Sequence, residues 1–206
     1  MKNIEDYKKK SKKSFNNQAM TYDIDKNGQH ARSLYSKLVK KLNTINYRSI
    51  LDVGCGTGAI LSLIVNSKKN IQAYGLDISE EMLNRAKEKL NKKAEFKVGD
   101  SENMPYSNNK FDIIICTDSF HHYPNPLNVL SEMYRVLKKD GKLIICDYWT
   151  VFPKRQIINL FMPFSKDGDV KIYSEKEIID LLQQSNFKEI EWDKINKNTY
   201  MITGSK

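Results

Sequence analysis

The ten residues Ile50-Leu51-Asp52-Val53-Gly54-Cys55-Gly56-Thr57-Gly58-Ala59 restrict the fold of this chain more than any other stretch. An apolar run ends beside an acid and passes directly into three alternating glycines, Gly54, Gly56 and Gly58. Without a Cβ, glycine lets the backbone turn sharply and lie close against a ligand. A strand that breaks into such a loop and re-enters as a helix places a nucleotide-like ligand over the carboxyl ends of a parallel sheet.

The rest of the chain supplies the partners such a sheet needs. Short apolar runs predict strands near 49–53, 71–77, 94–98, 111–117, 141–147, 187–193 and 199–203. The unbroken Ile113-Ile114-Ile115 suits a central strand buried on both faces. Between them, helical spacing predicts helices near 58–66, 79–91, 127–138 and 174–185, with Leu127, Leu130, Met133 and Leu137 on one face of the third. Ser174-Glu175-Lys176-Glu177 is a capping-box pattern opening the fourth. Residues up to about Asn43 read as helical, with Leu34, Leu38 and Leu42 in a single stripe. Strand alternating with helix predicts a doubly wound α/β fold.

Two adenosine-containing ligands compete for the loop. Gly54, Gly56 and Ala59 fit the dinucleotide fingerprint G-x-G-x-x-G/A, and Asp77 follows at the interval of a ribose-binding acid. Three features oppose a dinucleotide. Asp52 would set a negative charge beside a pyrophosphate and suits a cationic group better. Gly58 extends the glycine alternation past the usual pyrophosphate turn. A second acidic site, Gly99-Asp100-Ser101, follows the apolar Phe96-Lys97-Val98. An adenosyl ligand with a sulfonium and an ammonium, and no phosphates, accounts for all three.

These residues resemble a class I S-adenosylmethionine-dependent methyltransferase, of the branch that includes ubiquinone and menaquinone biosynthesis enzymes. The likeness runs from about Phe15 to the C-terminus through LDVGCGTG at 51–58, GLDIS at 75–79, GDSENMPYSNNKFDIIIC at 99–116, FHHYPNP at 120–126 and RVLKKDGKLIICD at 135–147. It implies a Rossmann-like, mostly parallel sheet of seven strands in the order 3-2-1-4-5-7-6, strand seven antiparallel, with helices on both faces. It implies a single domain, with an N-terminal helical cap (1–45), a cofactor-binding core (46–147), a lid or acceptor-pocket segment (148–172), and a C-terminal helix with two strands (173–206). The 148–172 segment carries Trp149, Phe152, Phe161, Met162 and Phe164 among Lys154, Arg155 and Lys166. Such residues serve equally as packing or as the wall of an apolar acceptor site.

The cofactor expected is S-adenosyl-L-methionine, with S-adenosyl-L-homocysteine as product. Backbone at Gly54, Cys55, Gly56 and Gly58 is expected to approach it. Asp77 is placed to accept both ribose hydroxyls, as an ionised carboxylate can. Asp52 is expected near the cationic methionine end, or pairing with the following helix N-terminus. Thr117 is placed to offer its carbonyl to the ammonium. The resemblance adds that Asp100 accepts from the adenine amino group, that the Ser101 N–H faces the ring, and that Ile78 and Met82 flank it. It also assigns Tyr22 to a segment covering the cofactor, although Asn16 stands where relatives carry an acid.

Methyl transfer leaves the protein mainly the task of alignment, and a base helps only when the acceptor enters protonated. His121 and His122 are the candidates, His122 being favoured as pocket-facing; a packing role for either is the alternative. Cys55, Cys116 and Cys146 lack C-x-x-C spacing, so neither a disulfide framework nor a metal site is expected.

The expected partner is a small-molecule acceptor, methylated at O, N, S or C. The net charge of +9 raises nucleic acid as a rival. Its lysines are spread along the chain, however, and Thr117-Asp118-Ser119-Phe120 lacks the D/N-P-P-Y/F motif of base-modifying enzymes. An RNA or protein methyltransferase, and a non-catalytic module that binds S-adenosylmethionine, remain the alternatives. No apolar run is long enough to span a membrane. A polar, lysine-rich start fits a cytoplasmic protein, as a monomer or homodimer.

Overall fold

A computed structural model of the chain describes residues 4–206. Residues 1–3, the beginning of the expected helical cap, lie outside the described residues. The strands are β1 (Ser49–Val53), β2 (Gln72–Asp77), β3 (Glu95–Val98), β4 (Phe111–Thr117), β5 (Leu137–Tyr148), β6 (Lys188–Asn196) and β7 (Thr199–Ser205). They form one sheet in the order β3-β2-β1-β4-β5-β7-β6. The first five are parallel, and β7 runs antiparallel to both β5 and β6. The helices are α1 (Ile4–Gln18), α2 (Gln29–Asn43), α3 (Ala59–Ser67), α4 (Glu80–Leu90), α5 (Pro126–Val136), α6 (Lys154–Phe161) and α7 (Glu175–Gln184).

The isoleucine run in β4 explains the layering. Ile113 and Ile115 pack with Leu34, Leu38 and Leu42 of α2, Ile60 and Ile64 of α3 and Leu83 of α4. Ile114 and Cys116 face the other way, against Val129 and Met133 of α5 and Ile178 and Leu182 of α7. Each alternate residue therefore meets helices, which is why the strand carries no polar alternation. At about 1.5–3 kcal/mol for each large apolar side chain buried, this double layer is the main term holding the sheet. Pro126 opens α5, where its missing N–H costs no hydrogen bond. Ser174 and Glu177 form the reciprocal capping box of α7.

The structure departs from the sequence expectation at three places. The N-terminal cap is two helices, because residues 19–28 form a turn. Asp25 there accepts from the Asn27 and Gly28 amides, and Arg32 donates to the Tyr22 and Asp25 carbonyls. α5 stops at Val136 and β5 starts at Leu137, earlier than 141, with a register shift between Phe111 and Ile113 and Asp140 at φ +62°. Regular pairing with β4 resumes at Lys142, so the charged lead-in hid the start of the strand. Within 148–172 lies the helix α6, none of whose residues is buried, so it carries no core-facing stripe to read. Among the described residues no helix is long and apolar enough to cross a membrane.

Candidate active site

The glycine loop closes off β1 as its conformation requires. Gly54, Gly56 and Gly58 have φ of +74°, +49° and +68°, all in the left-handed region. Gly54 N–H donates to the Leu76 carbonyl at 2.8 Å, tying the loop to β2. A Cβ on Gly54 would stand 2.0 Å from Ser119 Oγ, whereas one on Gly56 would meet nothing within 4 Å. Gly56 thus presents bare backbone to a cleft. Gly58 turns away: its Cβ position faces Leu90 and Ala86 of α4, and it lies outside the cleft wall.

Of the other expected cofactor residues, Tyr22, Asp52, Cys55, Asp77, Ile78, Met82, Asp100, Ser101 and Thr117 all line this cleft. Asp77 is oriented by backbone, its Oδ2 accepting from Gly56 N–H and its Oδ1 from Ser79 N–H, each at 2.8 Å. Burial nevertheless outweighs these bonds and raises its pKa. Asp52 is 1% exposed, and neither of its carboxylate oxygens has a hydrogen-bond partner. Burial, reinforced by the charge of Asp77, pushes its carboxyl well above the ordinary range. Thr117 Oγ1 is likewise buried without a partner. A ligand with cationic groups at one end and a ribose diol in the middle satisfies these orphaned acceptors, so the residues fit S-adenosylmethionine.

α1 and the turn after it cover the cleft through contacts no spacing rule reveals. Lys8 Nζ bridges Asp100 Oδ2 at 2.7 Å and Glu102 Oε1 at 3.0 Å. Asn16, the departure from the family's acid, accepts from Ser79 Oγ at 2.7 Å. Asp23 accepts from Thr57 Oγ1 at 2.5 Å and pairs with Lys89 at 2.6 Å. Tyr35, also unexpected, joins the wall from α2.

A second, more open cavity adjoins the first. Phe15, Tyr22, Asp118 and His122 line both and form the partition between them. Its outer wall is the arm after β5. Ile158 and Met162 enter it from α6 and the turn that follows, and Ile172 from the end of the arm. Asn159 holds that end by exchanging hydrogen bonds with the Ile172 backbone at 2.8 and 2.9 Å. Ser11 and Gln18 of α1 donate hydrogen bonds to Asp167, which tie the arm to α1.

The two candidate catalytic histidines occupy different positions. His122 borders both cavities, while His121 faces only the second. His121 Nδ1 meets Asp147 Oδ1 at 2.6 Å, and its backbone N–H donates to Asp147 Oδ2 at 2.9 Å. Burial opposes protonation of His121, but attraction to Asp147 prevails and its pKa is raised. Burial and then the neighbouring His121 charge depress His122. His30, which the sequence did not single out, adds a third imidazole. Its Nδ1 lies 2.6 Å from Asp118 Oδ1 and its Nε2 2.9 Å from Thr199 Oγ1. Asp147 ends the apolar run of β5 at the carboxyl edge of the sheet, a position where an acid could have been flagged.

Comparison with known proteins places these features in context. Residues 46–200 match a family described as a methyltransferase domain. The chain is similar to a demethylmenaquinone methyltransferase of Thermotoga maritima, at 33% identity over 67% of this chain and 55% of that protein. It is also similar to one of Lactobacillus johnsonii, at 30% identity over 78% of this chain and 76% of that protein. The first of these alignments thus spans little more than half the relative's length. The fold is similar to a crystal structure of an S-adenosylmethionine-dependent methyltransferase from Aquifex aeolicus, with a TM-score of 0.67 and 24% identity, covering 83% of this chain and 88% of that one.

Proposed function

The chain belongs to the class I S-adenosylmethionine-dependent methyltransferases of the ubiquinone/menaquinone type, and from that premise we propose that it methylates a small, largely apolar aromatic acceptor bearing an ionisable hydroxyl. The observation that carries this reading is the shared partition: one imidazole, His122, borders both the cleft that fits the cofactor and a second cavity. The names of the curated relatives point to an acceptor of the demethylmenaquinone class.

S-adenosylmethionine supplies a methyl group already activated by its sulfonium. The residues of this chain then have three tasks. Asp52, Asp77 and Asp100 hold the cationic end, the ribose and the adenine. Phe15 and Tyr22, which line both cavities, would help align an acceptor ring in the second cavity with a methyl group presented from the first. His122, kept neutral by burial, is able to take the acceptor's proton, while the charge on His121 stabilises the oxyanion that forms. An apolar tail on the acceptor would leave the cavity over α6, where Phe152, Leu160 and Phe161 are 73%, 70% and 62% exposed.

A label-transfer experiment tests this. The protein is incubated with methyl-labelled S-adenosylmethionine and a cell extract divided into small molecules, RNA and protein. The expected result is label in the organic-extractable small molecules. Label confined to RNA or protein would replace the acceptor class. Cofactor binding without label in any fraction would favour a non-catalytic binding module.

A further inference from the structure

We propose that His121, His122 and Asp169 form a binding site for a first-row divalent cation of the zinc type, with its open coordination position facing the second cavity. His121 Nε2 lies 3.6 Å and His122 Nδ1 3.2 Å from the same oxygen, Asp169 Oδ1. Ligand atoms about 2.0–2.2 Å from a tetrahedral ion stand roughly 3.3–3.6 Å from one another, so these separations are those of ligands around a shared centre.

A plain ion pair does not explain the arrangement. A charge-assisted N–H···O bond closes to about 2.7–2.9 Å, and His121 makes such a contact through its other nitrogen, at 2.6 Å from Asp147. Toward Asp169, both nitrogens stand farther off. The side chain of His122 is 10% exposed, and its Nδ1 has no hydrogen-bond partner. Two imidazole nitrogens and one carboxylate oxygen thus lie within 4.8 Å of one another.

The groups behind these atoms are arranged as metal ligands require. Asp147 holds Nδ1 of His121, which fixes the tautomer that leaves Nε2 free to ligate, as in carboxylate–histidine–metal triads. Ser165 Oγ donates to Asp169 Oδ2 at 2.5 Å, leaving Oδ1 to face the histidines. The Val170 and Lys171 amides both donate to the His121 carbonyl, at 2.9 and 3.2 Å, so the arm carrying Asp169 is fastened to the histidine pair. Two imidazoles and one carboxylate suit zinc and its first-row neighbours better than magnesium or calcium. Three protein ligands beside an open cavity are the pattern of a reactive rather than a purely structural site.

An ion there would displace the proton from His121 and engage His122, taking over from the imidazole pair the task of lowering the pKa of an acceptor hydroxyl bound at the open position. That role rests on the acceptor reading above; binding of the ion does not. The test is therefore a titration of the purified full-length protein with Co²⁺, followed by visible absorption, and with Zn²⁺, followed by calorimetry. Expected are saturable binding of one equivalent and the intense absorption of low-coordinate Co²⁺. Asp169→Asn is expected to weaken binding at least 10-fold, and loss of the supporting carboxylate in Asp147→Asn about 10–100-fold. Circular dichroism and S-adenosylhomocysteine binding serve as the fold controls for both variants. Absence of one-equivalent binding by the wild-type protein would overturn the proposal, whatever the variants do. So would unchanged affinity in a folded Asp169→Asn. Metal binding in a protein that methylates nothing would sustain the site and reject only its role in transfer.

Discussion

Asp52 lies opposite Gly75 in the β1–β2 pairing, two residues before Asp77, and both acids are drawn to higher pKa by burial. In the proposed reading, a cation and a pair of hydroxyl donors would relieve that cost and so favour an adenosyl sulfonium. Replacing Asp77 by Asn keeps the shape and removes the charge. With charge-assisted hydrogen bonds worth about 1.5–3 kcal/mol, S-adenosylhomocysteine affinity by calorimetry should fall roughly 10-fold or more. His122→Ala should act differently: kcat falls by about 10²-fold or more, the range of a lost proton-transfer group, with cofactor affinity unchanged. Equal loss of both would make His122 structural. Asp77 was placed at a strand end by its spacing from the glycine loop, and Asp100 by the apolar run before it, with its role supplied by the family resemblance; both line the cleft. Lys8, His30, Asp118 and Asp169 were not legible in the sequence, since they reach the site only through contacts such as Lys8 with Asp100 and His30 with Asp118.

The elements around the site divide by what holds them. α2, α3, α4, α5 and α7 are held by apolar burial against the sheet, and their periodicity made them readable. α6 has no buried residue, so its amphipathic face carried no comparable signal. If that face guides an apolar tail, Leu160→Glu should leave stability unchanged and raise KM for a long-tailed acceptor roughly 5–10-fold, at about half the worth of one buried leucine. A short-chain analogue should be unaffected, and an equal rise for both would remove the role. Polar clamps at element ends add an acid sensitivity. Burial disfavours charge on Asp112, but Lys138 and the Arg48 and Ser49 donors hold its carboxyl down at about 2. Burial likewise opposes charge on Glu177, but Lys171 and the Ser174 cap bring it to about 2. Both folded values lie below the unfolded ones, so their stabilisation is complete above about pH 4.5 and is lost as pH falls toward 2. The melting temperature should drop through that window, and Glu177→Gln should flatten the drop.

At the scale of the whole molecule, the sheet order places the β1 and β4 ends side by side, so the glycine loop, Thr117 and the histidine pair open toward common space. That much follows from a doubly wound sheet and was legible. A cap and a lid segment were expected, but not the contacts by which α1 meets the loop after β3, through Lys8 with Asp100, and the 148–172 arm, through Ser11 with Asp167, nor the shared wall of Phe15, Tyr22, Asp118 and His122 between two cavities. In the proposed reaction a methyl group crosses the partition from one cavity to the other. Its most direct test is to supply S-adenosylmethionine and a short-chain demethylmenaquinol analogue, and to follow S-adenosylhomocysteine together with the mass of the analogue. Stoichiometric gain of one methyl group, reduced by His122→Ala, is the predicted result. Tight cofactor binding with no mass change in this or any ring-hydroxylated acceptor would contradict it.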